Sequence, residues 1–344
     1  MSEFSRLDTR QQKAHLGRLA HDALRFWDIE DADIELIKYR ENAVFSITTG
    51  RGERYALRIH RNGYHTDAEL RSELQWIQAL AGEGIDVPQI VPAVSGELMV
   101  TLDARSPLGH RQIDLFEWLD GRQLGSVEAG VQGETASIQK TYRTVGMLAA
   151  RLHNQASVWQ LPPGFVRQAW DEEGITGEQP IWGRFWELAA LSGEEKRLLE
   201  KARARIHDDL IAYGKSGRTY SLIHADFAPE NLLLEGDHIY LIDFDDAGFG
   251  WHLFEIATSL YFISGEDYFD AARDAVIEGY RACRSLPDEQ LAYLPMFFVA
   301  RGFTYVGWVH TRNETETARE LTPMLVEMIC GLSEDYLAAS SRII

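Results

Sequence analysis

Between Ser221 and Gly250 the chain reads SLIHADFAPENLLLEGDHIYLIDFDDAGFG. His224, Asp226 and Asn231 stand in it as H-x-D-x-x-x-x-N, followed by Asp243. These residue types suit phosphoryl transfer. That chemistry needs one carboxylate to orient an attacking hydroxyl and accept its proton. It also needs an amide oxygen and a second carboxylate to hold Mg²⁺ on nucleotide phosphates. Asp226 has the type and spacing for the first task, Asn231 and Asp243 for the second. A lone H-x-D is a weak signal; flanking strands and a following Asp at this distance make it specific.

The elements that must position these residues are short and apolar. Tyr220 to Ile223 reads as a strand leading into the loop, and His238 to Ile242 as one leading into Asp243. Leu232-Leu233-Leu234 and Gly236-Asp237 between them read as a strand and a tight hairpin turn. A strand end is a rigid mount for a catalytic carboxylate.

A second constellation lies upstream. Residues 66–82 have helical spacing, with Leu70, Leu74, Ile77 and Ala81 on one face and Glu73 in the middle of it. A carboxylate aimed at a core needs a partner. Arg58, in the strand-like YALRIHR, is the nearest cation; otherwise Glu73 sits at an edge and reaches water. Around this helix the pattern predicts a leading helix at 9–27 and strands in ADIELIKY, NAVFSITTG and ERYALRIHR. Further strands are expected at Val87 to Val91, Glu97 to Leu102 and Arg111 to Leu119, forming a small antiparallel lobe.

From about residue 126 the pattern turns helical, with segments at 138–156, 184–214, 251–263, 267–284, 288–309 and 315–339. Residues 158–183 form a long Trp-, Pro- and Gly-rich loop, a type that often carries function. Trp170, Trp182 and Trp186 either pack the second half or line an acceptor pocket. The fold class expected is α+β.

With 344 residues the chain is long enough for two cores. The formal net charge of −19 argues against a nucleic-acid partner and is compatible with a cationic substrate. Asp171, Glu172, Glu173, Glu255 and Glu266 are candidates to hold an ammonium group. Two cysteines, Cys283 and Cys330, make no disulfide framework, and the charged N-terminus does not read as a signal peptide. No apolar run reaches membrane-span length, so a cytoplasmic protein is expected.

LIHADFAPENLLL and YLIDFDDAG resemble the catalytic loop and metal-binding strand of the aminoglycoside phosphotransferase and choline kinase family, relatives of the protein kinases. LFEWLDG resembles that family's hinge and VGMLAARLHNQA the first large helix of its second lobe. LRIHR and SELQWIQAL are similar to the branch holding type II homoserine kinases, hydroxylysine kinases and bacterial stress-response Ser/Thr kinases. The resemblance implies a bilobal protein-kinase-like fold: a nucleotide-binding lobe at 1–116, a hinge at 117–125 and a helical lobe at 126–344.

It also implies ATP and Mg²⁺, with Asp226 as catalytic base and Asn231 and Asp243 as metal ligands. Arg58 stands where the family usually has a phosphate-anchoring Lys, with Glu73 as its partner. Phe116, Glu117 and Leu119 would face the adenine, and the turn from Arg40 to Phe45, with Asn42, would cover the phosphates. Glu255 stands where the family usually has an Asp, and would brace the catalytic loop. His224 reads as structural, and Asp245 and Asp246 as turn residues, Asp245 alternatively touching metal.

Ala225 in place of the Arg of H-R-D, and the short path from Asp243 to the helix near Trp251, argue against a phosphorylation-regulated activation segment. The first expectation is therefore phosphate transfer to a hydroxyl of a small amine or amino-acid-like acceptor. The alternatives are a Ser/Thr protein kinase and a nucleotide-binding pseudokinase; the intact Asp226, Asn231 and Asp243 argue against the last.

Overall fold

The computed structural model describes residues 4–39, 42–104, 109–126, 130–236 and 238–340. The chain divides into two compact units. The first comprises Met1–Arg122, Leu161–Val166 and Tyr240–Asp245; the second comprises Gln123–Gln160, Arg167–Ile239 and Asp246–Ile344.

In the first unit, α1 (Thr9–Ala23) starts at a capping box in which Asp8 accepts from the Gln11 N–H and the Gln11 side chain accepts from the Asp8 N–H. Three antiparallel strands follow: β1 (Ala32–Tyr39), β2 (Ala43–Thr49) and β3 (Arg54–Ile59). α2 (Asp67–Gly82) opens on a second capping box, Thr66 with Glu69. β4 (Val100–Ala104) and β5 (Gly109–Glu117) complete a five-stranded sheet of order β1-β2-β3-β5-β4. Phe45, Ile47, Leu57, Ile59, Ile113 and Leu115 from the sheet pack with Leu16, Leu19 and Ala20 of α1 to form the core.

Val87 to Val91 is not a strand. It runs extended and makes only an isolated bridge, Ile90 to Phe116. Pro88 and Pro92 remove the backbone donors that a ladder would need. Strand β5 also begins and ends earlier than the apolar pattern of 111–119 suggests.

After the two-residue strand β6 (Arg122–Gln123), the second unit is mainly helical. Its long α3 (Thr135–Val158) packs on α7 (Phe269–Cys283). The approach is close enough that a Cβ on Gly146 would sit 2.0 Å from the Val276 carbonyl oxygen. Between these come β7 (Ala169–Trp170), α4 (Glu172–Thr176), α5 (Gly193–Tyr213), β8 (Tyr220–Ile223), β9 (Leu232–Glu235), β10 (His238–Leu241), β11 (Gly248–Trp251) and α6 (His252–Leu260). The chain ends in α8 (Asp288–Leu291), α9 (Leu294–Thr311) and α10 (Glu316–Ser340).

β11 lies parallel to β7 and antiparallel to β8, so one small sheet joins the Trp-rich loop, the entry to the H-x-D loop and the segment after Asp246. Its glycines permit this: a Cβ on Gly250 would meet Ile223 Cδ1 at 2.4 Å. Helices α6 and α9 are buried almost all round. Among the described residues no helix is long and apolar enough to cross a membrane.

Candidate active site

In the second unit, β8 delivers the chain into the loop that carries Asp226. Ala225 takes a left-handed conformation with φ 65°, a region that costs a non-glycine residue roughly 1–3 kcal/mol unless its surroundings impose it. Here they do. Glu255 of α6 accepts the N–H groups of His224 at 2.7 Å and Ala225 at 2.8 Å. The carbonyl of Ala225 accepts from Arg301 Nη1 at 2.9 Å. Glu255 is fully buried, and burial pushes its carboxyl up to about 7 against the lowering influence of His224 and the two N–H donors. This is the loop brace anticipated for Glu255.

The turned loop places the Asp226 carboxylate between two donors. Asn231 Nδ2 reaches Oδ2 at 2.7 Å and the Asp226 backbone carbonyl at 2.9 Å. Arg301 Nη2 reaches Oδ1 at 2.6 Å. The Asp226 side chain keeps 22% of its surface exposed, whereas Arg301 has none. The Asn231 amide nitrogen is thereby committed to Asp226, while its Oδ1 makes no hydrogen bond among the described residues. His224 offers Nδ1 to the Asp226 N–H at 3.3 Å, a structural role.

The first unit carries the cation–carboxylate pair. Arg58 Nη2 donates to Glu73 Oε1 at 2.8 Å, and both side chains are buried. Sequence reasoning missed the rest of this cluster. The β3–β5 register sets Arg58 opposite Asp114, which takes Nε at 3.1 Å and Nη2 at 2.7 Å in a two-point fork. His60 Nε2 lies 2.9 Å from the same carboxylate. Burial alone would raise the Asp114 pKa, but Arg58 and His60 hold it well below the usual carboxylate range. The alternating pattern of β3 and β5, which puts Arg58, His60 and Asp114 on one face, was the available signal. The Arg58 guanidinium also lies 5.3 Å from the centroid of the Phe116 ring. Its Nη1 makes no hydrogen bond among the described residues.

Asp243 is the third non-glycine residue with positive φ, at 67°, after Asp28 and Ala225. Its side chain is 39% exposed, and Oδ2 lies 3.9 Å from Lys38 Nζ on β1. Asp245, by contrast, is buried beside His65, 3.8 Å away, and its carboxyl is pushed up by burial and by Glu73. Taken one at a time, a half-exposed carboxylate and an amide oxygen are the kinds of hard oxygen donor that suit Mg²⁺. Asn231 belongs to the second unit and Asp243 to the first.

Of the remaining candidates, Leu119 has an N–H that makes no backbone hydrogen bond among the described residues, whereas the Glu117 N–H is committed to the Gln89 carbonyl. Asn42 Oδ1 accepts the Arg61 N–H at 3.0 Å, which ties the start of β2 to the end of β3. Arg40 and Glu41, in the expected phosphate-covering turn, lie outside the described residues.

Three of the five acidic residues considered for an ammonium group, Asp171, Glu172 and Glu255, have other partners. Lys215 pairs with Asp171 and Glu172, each at 2.9 Å, and Glu255 braces the loop. Trp170 and Trp182 both donate to Asp246, to its carbonyl at 2.8 Å and its Oδ1 at 3.2 Å. Trp186 packs under the Arg203 guanidinium.

This geometry can be set beside known proteins. The phosphotransferase enzyme family matches residues 33–291. A solved structure of a microcompartment-associated aminopropanol kinase is similar at 30% identity, with a TM-score of 0.83, covering 94% of this chain and 98% of that one. The amicoumacin kinase of Bacillus subtilis is 24% identical over 92% of this chain and 90% of its own. A homoserine kinase of Rhizobium johnstonii is 26% identical over 81% of each. With an α+β, protein-kinase-like fold and a family match over most of its length, the chain belongs to the phosphotransferase enzyme family.

Proposed function

We propose that this protein transfers the γ-phosphoryl group of ATP to a hydroxyl of a small acceptor of the amino-alcohol or amino-acid type. The observation that carries the reading is the Asp226 carboxylate, fixed on both oxygens and still partly exposed. The acceptor hydroxyl oxygen attacks the γ-phosphorus as the bond to the ADP oxygen breaks, and its proton passes to Asp226. The transition state of such transfers is loose, so orientation of the hydroxyl contributes more than strong basicity.

Asn231 and Asp243 would hold Mg²⁺, which supplies charge neutralisation on the phosphates. Arg58, locked by two carboxylates, presents Nη1 to a phosphate, and Lys38 stands beside Asp243 as a second cation. The Leu119 N–H and the Glu117 carbonyl are the proposed adenine contacts, with Phe116 behind the ring and Asn42 bracing the phosphate turn. In domain terms, 1–116 serves the nucleotide, 117–125 the hinge and 126–344 the acceptor.

A small acceptor is favoured over a protein by the short path from Asp243 to α6. Only Phe244 to Trp251 intervene, and part of that is β11. The similar aminopropanol and homoserine kinases support the same choice. A cytoplasmic location is part of this reading, in keeping with free thiols at Cys283 and Cys330. The test is ADP release in a panel of aminopropanol, homoserine, choline, an aminoglycoside and casein. Selective turnover of a small amino alcohol or amino acid is expected; turnover of casein alone would move the assignment to a protein kinase.

A further inference from the structure

Arg301 is the one residue at Asp226 that no motif announces. It lies on α9, 75 residues further along the chain, within LPMFFVARGFTYVGWVHT, a segment otherwise almost devoid of charge. Its side chain has no exposed surface. The guanidinium carbon stands 4.0 Å from the Tyr305 ring centroid, 4.9 Å from that of Trp182 and 5.4 Å from that of Phe254. Burial lowers the Arg301 pKa, but Tyr305 and Asp226 more than offset this, so the cation is kept.

A buried cation is a poor stabilising device. Taking it out of water is costly, and an apolar residue of the same volume often does as well. Arg301 also leaves its Nε buried without a hydrogen-bond partner among the described residues. What it gains is a two-point grip on the catalytic turn: Nη1 on the Ala225 carbonyl at 2.9 Å and Nη2 on Asp226 Oδ1 at 2.6 Å. The planar fork ties the strained residue and the carboxylate after it into one rigid unit. Asn231 grips the other oxygen. Rotation of the carboxylate about its own axis is thereby stopped from both sides.

From this geometry we infer that Arg301 is a positioning residue for Asp226: a buried guanidinium that sets the direction in which the carboxylate meets the acceptor hydroxyl. With no exposed side-chain surface it does not touch the acceptor. The inference rests on Asp226 being the residue that receives the hydroxyl.

The test compares Arg301→Met, which keeps volume and removes the fork, with Arg301→Lys, which keeps charge and loses the fork. Each is made alone and in the Asp226→Asn background. Turnover is read as ADP release from MgATP with aminopropanol, and as slow MgATP hydrolysis where water takes the place of the hydroxyl. For Arg301→Met, kcat should fall by about 10²-fold, the scale expected when a reacting group is misplaced by about 1 Å. The Kd for MgATP and the KM for aminopropanol should hold. Arg301→Lys should fall between Arg301→Met and the unaltered enzyme. Added to Asp226→Asn, Arg301→Met should change the residual rate by no more than about twofold, because both act through one group.

A crystal structure of Arg301→Met should show the Asp226 carboxylate turned off its present direction, a readout that needs no acceptor. The inference is overturned if the carboxylate stays in place, if kcat is unchanged, or if the two substitutions multiply. Full activity in Asp226→Asn alone would instead sink the assignment of Asp226 itself.

Discussion

Replacing Arg58 by Met removes one cation from between two buried carboxylates. Arg58 makes three hydrogen bonds, two to Asp114 and one to Glu73, and neither acceptor has exposed side-chain surface. Methionine fills nearly the same volume, so packing contributes little to the change. What remains is two carboxylates in an apolar setting, with His60 the nearest other partner of Asp114. Breaking a buried pair in this way costs about 3–5 kcal/mol, a large share of the ~5–15 kcal/mol that holds a typical domain together.

Because the chain has two compact units, a single unfolding midpoint would mix them. Hydrogen exchange of peptides from β3, α2 and β5 reads the first unit alone. At neutral pH, Arg58→Met should lower protection there by about 10²-fold or more. The deficit should narrow in acid. Asp114 has a depressed pKa in the folded state, so its contribution is present above the unfolded carboxylate pKa and is lost as pH falls towards the folded value. Adding Glu73→Gln and Asp114→Asn to Arg58→Met should restore much of the protection, since removing both partners of a buried bond is far milder than removing one. Protection within about threefold of the unaltered protein in Arg58→Met would mean that the buried pair contributes well under 1 kcal/mol, contrary to this prediction.

Three other substitutions test separate parts of the account. Asp243→Ala should abolish the Mg²⁺-dependent part of ATP binding measured by calorimetry, and leave metal-free binding little changed. Glu255 titrates near 7 when folded and near 4.5 when unfolded, so the folded state holds the extra proton in between. Its effect is to make stability fall as pH rises from about 4.5 to 7, by on the order of 3 kcal/mol, and level off above; Glu255→Gln should flatten that slope in the hydrogen-exchange protection of α6 and β8 peptides. Gly146→Ala would press a methyl onto the Val276 carbonyl, 2.0 Å away, and should destabilise the second unit by about 1–3 kcal/mol, read as lost hydrogen-exchange protection in peptides of α3 and α7.

The grouping of His224, Asp226 and Asn231 was legible in the sequence because it is local. His224, Asp226 and Asn231 fall within eight consecutive positions bounded by apolar strands. The Arg58–Glu73 pair was legible too, since a carboxylate on an apolar helix face demands a cation. Asp114 was not: its place opposite Arg58, 56 positions away, depends on the register between β3 and β5. Arg301 was hidden for a similar reason, in a helix that otherwise reads as plain core. The acidic run at Asp171 to Glu173 looked available for a ligand, but two of its members are held by Lys215 across more than forty residues. Val87 to Val91 has strand-like residues, yet Pro88 within it and Pro92 after it outweigh them.

The central claim is that Asp226 receives the acceptor hydroxyl in transfer from ATP. The most direct measurement follows product formation by ³¹P NMR with MgATP and aminopropanol or homoserine, comparing the unaltered protein with Asp226→Asn. A phosphomonoester resonance on the acceptor is expected, formed about 10²–10⁴-fold more slowly by the variant. Phosphorylated acceptor appearing at the same rate with Asp226→Asn would contradict it.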